Sequence, residues 1–503
     1  MSSERPVFRR RALLAGLAAS IAAPALARAP TRSLVPVARP TSLAQEVPAA
    51  RAARGLTDLL ARSGVSGETA LIALDAETGA VLEEHRANLR LPPASTAKAV
   101  TALYALNTLG PEHRFRTRIE GHGTLTGNTL TGDLVLRGGG DPVLQTEDLA
   151  RMADALIQQG LRRVEGRFLV DDSALPAITR IDPEQPPQAG YNPAISGINL
   201  NFNRVHFAWV VQGGRATLTM DARSDREVPR VSVIDIRTAA RDLPVYTHDL
   251  RRDGERWTVA ASALSGEGSR WLPVRRPAPY AGDVLRALLL ARGCHLPEPQ
   301  VAAVSRTGPI LAETFSAPLT SIVRGMLRYS TNLTAECLGL HATLAGGAQV
   351  RALEPSAERM SAFAARRYGA DGLSFVDHSG LGDGSRVSPR AMAQFLLAAR
   401  SEGMLQEHLR DHPMRDDAGR PQGNHPITVQ AKTGTLNFVS ALAGYAQMRG
   451  GRSIVFSIVS ADMARRRAAQ DVNDERPAGA RTFASRARSL QQALIERWAR
   501  AQS

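Results

Sequence analysis

"LPPASTAKAVTALYALNTLG", residues 91–110, decides how the rest of the chain is read. Pro92-Pro93 bars a helix ahead of it, because proline lacks an amide hydrogen and pushes the preceding residue toward extended backbone. From Ala94 to Leu109 the stretch is almost wholly apolar, and Gly110 is a favourable helix stop. A helix apolar on every side belongs inside a core, so the segment predicts a buried helix at the centre of a domain. Its one charged residue, Lys98, stands three positions after Ser95, and positions i and i+3 share a helix face.

Of the 62 lysines and arginines in the chain, only Lys98 and Lys432 are lysines. A serine hydroxyl is a poor nucleophile until a neighbouring base takes its proton. Lysine can be that base if burial or a second cation lowers its pKa, whereas arginine effectively never deprotonates. With 33 serines in the chain, chance supplies roughly 0.13 Ser-x-x-Lys pairs, so the pairing carries information. Lys432 heads Lys432-Thr433-Gly434-Thr435, after the strand-like "ITVQA" at 427–431. There a compact ammonium can keep a site cationic, or receive a carboxylate together with threonine hydroxyls. Gly434 gives a ligand close access to the backbone, and an exposed strand edge can pair with an extended peptide. The bland reading of either lysine alone is a solvated surface residue. A third element, "RYSTNLTAECL" at 328–338, puts Ser330-Thr331-Asn332 between two helical stretches. It is either an inward-facing turn or an N-cap for a helix starting near Leu333.

Ser95-x-x-Lys98, Ser330-x-Asn332 and Lys432-Thr433-Gly434, in that order, resemble the serine acyl-transferases of the penicillin-binding protein and β-lactamase group. With "GDLVLRGGGDPVL" (132–144), "DHSGLGDGSRVSP" (377–389) and "AKTGTLNFVSALAGY" (431–445), the chain from about 55 to 495 is similar to the type-4 low-molecular-mass (class C) penicillin-binding proteins, which are D-alanyl-D-alanine carboxypeptidase/endopeptidases. The 235 residues between Ser95 and Ser330 fit that family's insertion, which forms extra domains. The resemblance implies an α/β transpeptidase-like domain, an antiparallel sheet flanked by helices, split by a long, mostly β insertion. It implies Ser95 as acylated nucleophile, Lys98 as its base and Ser330 as proton relay. Asn332 would contact the substrate amide, and Lys432, Thr433 and Thr435, with Gly434 between them, would hold the terminal carboxylate. The N–H groups of Ser95 and Thr435 would form the oxyanion hole. Substrates would be peptidoglycan stem peptides ending in D-Ala-D-Ala, or D-Ala cross-links, and β-lactams would inhibit covalently. Two departures stand out. Asp383 occupies the place of an arginine linked to the stem peptide's third side chain, and Leu175 replaces an aromatic in "VDDSAL". Asp171 aligns with an acidic residue that binds the diamino acid's amine; its other reading is a turn carboxylate.

The formal net charge of +14 fits either contact with an anionic envelope surface or a drift toward arginine in an exported protein. No nucleic-acid-binding signature accompanies it. The N-terminus has a basic start with Arg9-Arg10-Arg11, an apolar run from Ala12 to Ala23 and an Ala25-Leu26-Ala27 cleavage pattern, which together read as a secretory signal peptide. Either the Sec or the twin-arginine route serves, and the destination is the periplasm. Losing residues 1–27 removes four arginines and one glutamate and leaves +11. Cys294 and Cys337 are too few for a disulfide framework; they form one bridge or are two small buried residues. Metal-ligand spacing is absent and no cofactor is called for. The expected organisation is a signal peptide at 1–27, a Pro/Ala/Ser-rich linker at 28–50, a catalytic domain from 51–112 and 300–503, and an inserted β-rich region at 113–299, read as two subdomains.

Two other functions fit parts of this pattern. A β-lactamase or esterase on the same core would need a base to activate water, and no residue can be assigned to that role. A non-catalytic peptidoglycan-binding protein would tolerate arginine at both lysine positions, so lysine at both counts against it. On charge alone, Lys432→Arg should be milder than Lys98→Arg.

Overall fold

The computed structural model describes residues 55–501 apart from 417, 418, 449, 472–474 and 476. The signal-peptide and linker readings lie outside the described residues.

The hairpin expected on either side of Glu77-Thr78-Gly79 is present, as Glu68–Asp75 paired with Val81–His85. It forms one end of a six-stranded antiparallel sheet, and the other strands come from the far end of the chain. Their order is Arg410–Asp411, Thr428–Leu436, Val439–Gln447, Ser453–Ala461, Glu68–Asp75, Val81–His85. The seam between the two parts of the chain runs in register from Glu68 opposite Ala461 to Asp75 opposite Ile454.

Because successive side chains point to opposite faces, a strand covered on both sides is mostly apolar, and "SIVFSIVSA" at 453–461 interrupts its apolar run only with small serines. Ile72, Leu74, Ala443, Tyr445 and Val455 face a layer of helices that includes Ala97–Leu109, Leu319–Tyr329, Leu353–Tyr368 and Pro389–Arg400. Leu71, Ala73, Leu442, Phe456 and Ile458 face Leu490, Leu494, Ile495 and Trp498 of the C-terminal helix Ala480–Ala501. The helix read first from the sequence sits in the first of these layers. Ala97 to Leu106 are buried without exception, and Gly110 stops the helix at φ +87°.

The inserted region is built on a mixed sheet in the order Pro299–Val301, Phe168–Asp171, Thr129–Arg137, Arg116–Thr126, Ile310–Phe315. The last strand pairs with Arg116–Thr126, so residues 300–315, expected in the catalytic domain, belong with the insertion. Two three-stranded sheets complete it, and one continuous cluster of buried side chains, with Phe168, Phe207, Trp257 and Tyr280 among them, spans all three sheets. The region also carries two helices, Thr146–Gln158 and Pro277–Ala291. The β-rich reading passed over the first, although Leu149, Met152, Ala153 and Leu156 recur at helical spacing and are buried. The chain leaves and returns at adjacent points, where the N–H of Ser316 donates to the carbonyl of Phe115 (2.9 Å).

Contact between insertion and catalytic helices includes the Gly140 carbonyl against His341 and the segment after Tyr191. Asn201, Phe202 and Asn203 all have left-handed backbone, φ 51°, 57° and 49°. Buried amides hold this costly turn: Asn201 Nδ2 donates to Thr146 Oγ1 (2.8 Å), and Asn203 Nδ2 to Asn199 Oδ1 (2.8 Å). Phe202 thereby packs with Leu333, Cys337 and Leu340 of the helix Asn332–Ala345. Cys294 and Cys337 are both free, buried thiols.

Candidate active site

Ser95 lies in the 3-10 turn Ala94–Thr96, and Lys98 in the first turn of the helix that follows. Lys98 is 0% exposed and spends all three ammonium hydrogens: on Ser95 Oγ (2.9 Å), Asn332 Oδ1 (2.7 Å) and the carbonyl of Ser379 (2.8 Å). The Asn332 orientation follows from its other end, because Nδ2 donates to the carbonyl of Tyr191 (2.9 Å), which can only accept. Two of the three lysine partners are therefore oxygens without hydrogens. When Lys98 loses a proton, they keep its two remaining N–H bonds, and the lone pair is left pointing at the Ser95 hydroxyl. Burial brings the Lys98 pKa from 10.5 down to about 8, against the opposing pull of Asp377 and Glu336.

Ser330 closes the helix Leu319–Tyr329 in left-handed backbone, φ 58°, and Thr331 precedes the next helix without a side-chain cap. The capping reading of this stretch therefore fails. The side chains turn inward: Ser330 Oγ accepts from Lys432 Nζ (2.9 Å), which also donates to the carbonyl of Thr433 (2.8 Å). Lys432 is buried, and desolvation together with the charges of Lys98 and Arg410 holds its pKa well below the ordinary value. Gly434 shares its face of the strand. A Cβ there would stand 2.8 Å from the Pro93 carbonyl oxygen and 3.0 Å from the amide nitrogen of Ser95. Only glycine lets this strand lie against the serine turn. Thr433 and Thr435 alternate onto the opposite side and are exposed. Arg410–Asp411 pairs with Ala431 and Gln430 alone, so among the described residues the edge from Lys432 to Leu436 has no neighbouring strand.

The third wall, residues 377–383, carries functional groups that sequence reasoning missed. Lys98 is held by a main-chain carbonyl, Ser379, which has no side-chain signature. The loop is folded by Asp377, whose carboxylate accepts from the N–H groups of Gly380 and Gly382 (2.5 Å each). Burial, with Glu336 close by, raises its pKa to about 7. The Asp-x-x-Gly spacing was the available signal. Gly380 has φ +74°, and a Cβ on it would collide with the carbonyl of Ala94. Gly380→Ala is expected to destabilise the protein by about 2–4 kcal/mol, from left-handed backbone plus overpacking. Chemical denaturation reads this directly, and an unchanged midpoint would contradict the close approach.

Ser95, Lys98, Ser330, Asn332, Lys432 and Gly434 thus converge, and Thr433 and Thr435 stand on the exposed side of the strand that carries Lys432 and Gly434. Asp171 does not join them. It is fully buried in the inserted sheet, where its carboxylate is taken up by Arg137 and by the N–H groups of Ser173 (3.0 Å) and Val304 (3.2 Å). The hydrogen bond from the N–H of Ser173 two residues on fits the turn-carboxylate reading. Asp383, the other departure, is ion-paired with Arg466 (2.6 Å), which also reaches the carbonyl of Asn437 (3.2 Å).

The family described as the D-Ala-D-Ala carboxypeptidase 3 (S13) family matches residues 53–480. A D-alanyl-D-alanine carboxypeptidase of Actinomadura sp. (strain R39) is 28% identical over 458 residues, covering 84% of this chain and 81% of that protein. The D-alanyl-D-alanine carboxypeptidase DacB of Haemophilus influenzae is 23% identical over 435 residues, covering 80% and 87%. In three dimensions the chain resembles the crystal structure of penicillin binding protein 4 (dacB) from Haemophilus influenzae, with a TM-score of 0.70 at 18% identity, covering 88% of this chain and 99% of that one. The same protein complexed with a novel β-lactam gives a TM-score of 0.68.

Proposed function

Because the chain belongs to the D-Ala-D-Ala carboxypeptidase 3 (S13) family, we propose that the Ser95–Lys98 pair carries out this family's hydrolysis on peptidoglycan stem peptides by way of an acyl-serine. The enzyme is a serine-type D-Ala-D-Ala carboxypeptidase. One observation carries the residue assignment: two hydrogen-free oxygens hold Lys98 so that its lone pair falls to Ser95.

In acylation, neutral Lys98 takes the Ser95 proton as Oγ bonds to the carbonyl carbon of the penultimate D-Ala. The carbonyl oxygen becomes an oxyanion facing the N–H groups of Ser95 and Thr435, which Gly434 allows to come together. Ser330 passes its proton to the departing amine as the C–N bond breaks and is refilled by the proton that Lys98 took from Ser95, which returns Lys98 to its neutral form, while Lys432 donates to Ser330 Oγ and keeps the carboxylate end of the site cationic. Thr433 and Thr435 take up the terminal carboxylate, and Asn332 orients the substrate amide. Water then cleaves the acyl-serine ester, releasing the shortened peptide and returning the proton to Ser95. A cross-link presents the same D-Ala carbonyl with a different leaving amine, so the same steps open it. A β-lactam enters at the acylation step. The signal-peptide pattern at 1–27 supports export to the periplasm, where such peptides lie.

Intact mass after incubation with benzylpenicillin tests the assignment. A single adduct is expected on the wild type and none on Ser95→Ala, alongside D-Ala release from a peptide ending in D-Ala-D-Ala. Antibiotic hydrolysed without an adduct would instead indicate a β-lactamase. An adduct on the Ser95→Ala protein would remove Ser95 from the mechanism.

The pH dependence has a definite sign. The reactive lysine is the neutral form, so acylation should rise about tenfold per pH unit below the Lys98 pKa and level off above about 8. Rapid-quench acylation rates from acid to alkaline pH would show this, and a flat profile through that range would exclude Lys98 as the base.

A further inference from the structure

Behind Lys98 lies a buried polar chain that the acyl-transfer steps do not use. Glu336, one turn beyond Asn332 on the same helix, is 0% exposed. One carboxylate oxygen accepts the N–H of Ser379 (2.9 Å); the other accepts the N–H (3.0 Å) and the Nδ1 hydrogen (2.9 Å) of His378. With Nδ1 donating, Nε2 of a neutral His378 is an acceptor, and Ser356 Oγ lies 3.0 Å away. Ser356 is 2.7 Å from Thr343 Oγ1, which is 2.9 Å from the hydroxyl of Tyr104. One assignment uses every hydrogen once: Tyr104 donates to Thr343, Thr343 to Ser356, Ser356 to His378, and His378 to an ionised Glu336.

The chain is sterically enforced. Gly339, on the same helix as Glu336, faces the imidazole, and a Cβ on it would overlap the His378 ring. The two carbonyls of the tethered loop both face the nucleophile helix. That of His378 accepts from Thr101 Oγ1 (2.5 Å), and that of Ser379 accepts from Lys98 (2.8 Å).

We propose that Glu336 is a positioning residue for Lys98: by fixing the backbone of His378 and Ser379 it sets where the Ser379 carbonyl stands, and so where the lysine lone pair points. This rests on Lys98 being the base. Glu336 also acts through its charge. The titratable groups facing Lys98 are Glu336 from the Asn332 helix, Asp377 and His378 from the loop, and Lys432 from the strand; of the two carboxylates, Asp377 titrates near neutrality, while its partners keep Glu336 ionised.

Two variants of the full chain separate position from charge. Glu336→Gln keeps the shape, removes the charge and turns an amide NH2 toward N–H donors. Glu336→Asp keeps the charge and shortens the reach. Since Lys98 and Lys432 are the only lysines, ¹³C-labelled lysine gives two side-chain signals, and Lys98 can be titrated directly by NMR in tag-free protein. For Glu336→Gln the Lys98 midpoint should move about one pH unit toward acid, with benzylpenicillin acylation slowed roughly tenfold to a hundredfold. For Glu336→Asp the midpoint should stay while acylation still drops roughly tenfold. Folded variants with an unmoved midpoint in Glu336→Gln, or with acylation within twofold of wild type, would overturn the proposal. Should Glu336→Gln not fold, wild-type acylation by Glu336→Asp would overturn it alone. A wild-type Lys98 midpoint that misses the acid limb of acylation would instead refute Lys98 as base, a result independent of how Glu336 behaves.

Discussion

Lys98→Arg should abolish acylation by benzylpenicillin on the time scale of the wild-type reaction, a loss of roughly 10^4-fold, the upper end of what a positioned base contributes. Charge is not the reason, since arginine keeps it. Lys98 Nζ sits 2.9 Å from Ser95 Oγ in a fully buried pocket, where burial has already brought its pKa to about 8. A guanidinium in that pocket stays protonated and has no lone pair to offer. It is also bulkier, and overpacking a tight core costs about 1–3 kcal/mol, so stability must be measured beside activity. Lys98→Met supplies the control, with similar length, no charge and no base. Both variants should remain folded by circular dichroism and fail to form the adduct by intact mass. Acylation of either one within tenfold of wild type would refute Lys98 as the base.

Lys432→Arg should slow acylation roughly a hundredfold and cost about 2–4 kcal/mol of stability. Reasoning from charge alone expected this to be the milder change of the pair, and it remains so for the chemistry. Burial alters the magnitude. Lys432 is 2% exposed, beside Lys98 and Arg410, and its pKa is depressed well below the ordinary range. A bulkier, planar guanidinium there cannot fit the space from which Nζ reaches Ser330 Oγ and the Thr433 carbonyl. Parallel urea titrations and acylation time courses measure both effects. A variant as stable and as fast as wild type would mean that the lysine pocket opens to solvent in solution.

Much of the site was legible because its chemistry sits in side chains of unusual type. Two lysines among sixty arginines, each in a short motif, marked Ser95, Lys98 and Lys432 before any coordinates. The core of the fold was legible for a related reason, since an all-apolar helix and the apolar strands of the central sheet have no stable home except between layers. The carbonyls of Ser379 and Tyr191 were not legible. They act through the main chain, which is the same for every residue, and only the fold brings them to Lys98 and Asn332. Asp171 was left with two readings for the opposite reason. A carboxylate in a turn motif looks the same in sequence whether it faces a ligand or, as here, a partly buried arginine. The extent of the insertion was misjudged because Ile310–Phe315 is a strand whose partner lies almost two hundred residues earlier, and pairing at that separation leaves no local trace.

The seam of the central sheet also fixes an order of events for a chain emerging from a ribosome or an export channel. Glu68–Asp75 has only Val81–His85 beside it until Ser453–Ala461 has appeared. The inserted sheets need nothing beyond Phe315 to complete their pairing. The segment between the two halves of the active site can therefore close first, while the amino-terminal hairpin, with one bare edge, waits for the carboxyl-terminal strands. Truncation anywhere before residue 453 would strand that edge and leave a nascent polypeptide with an insertion able to pair its strands and no hydrolase around it.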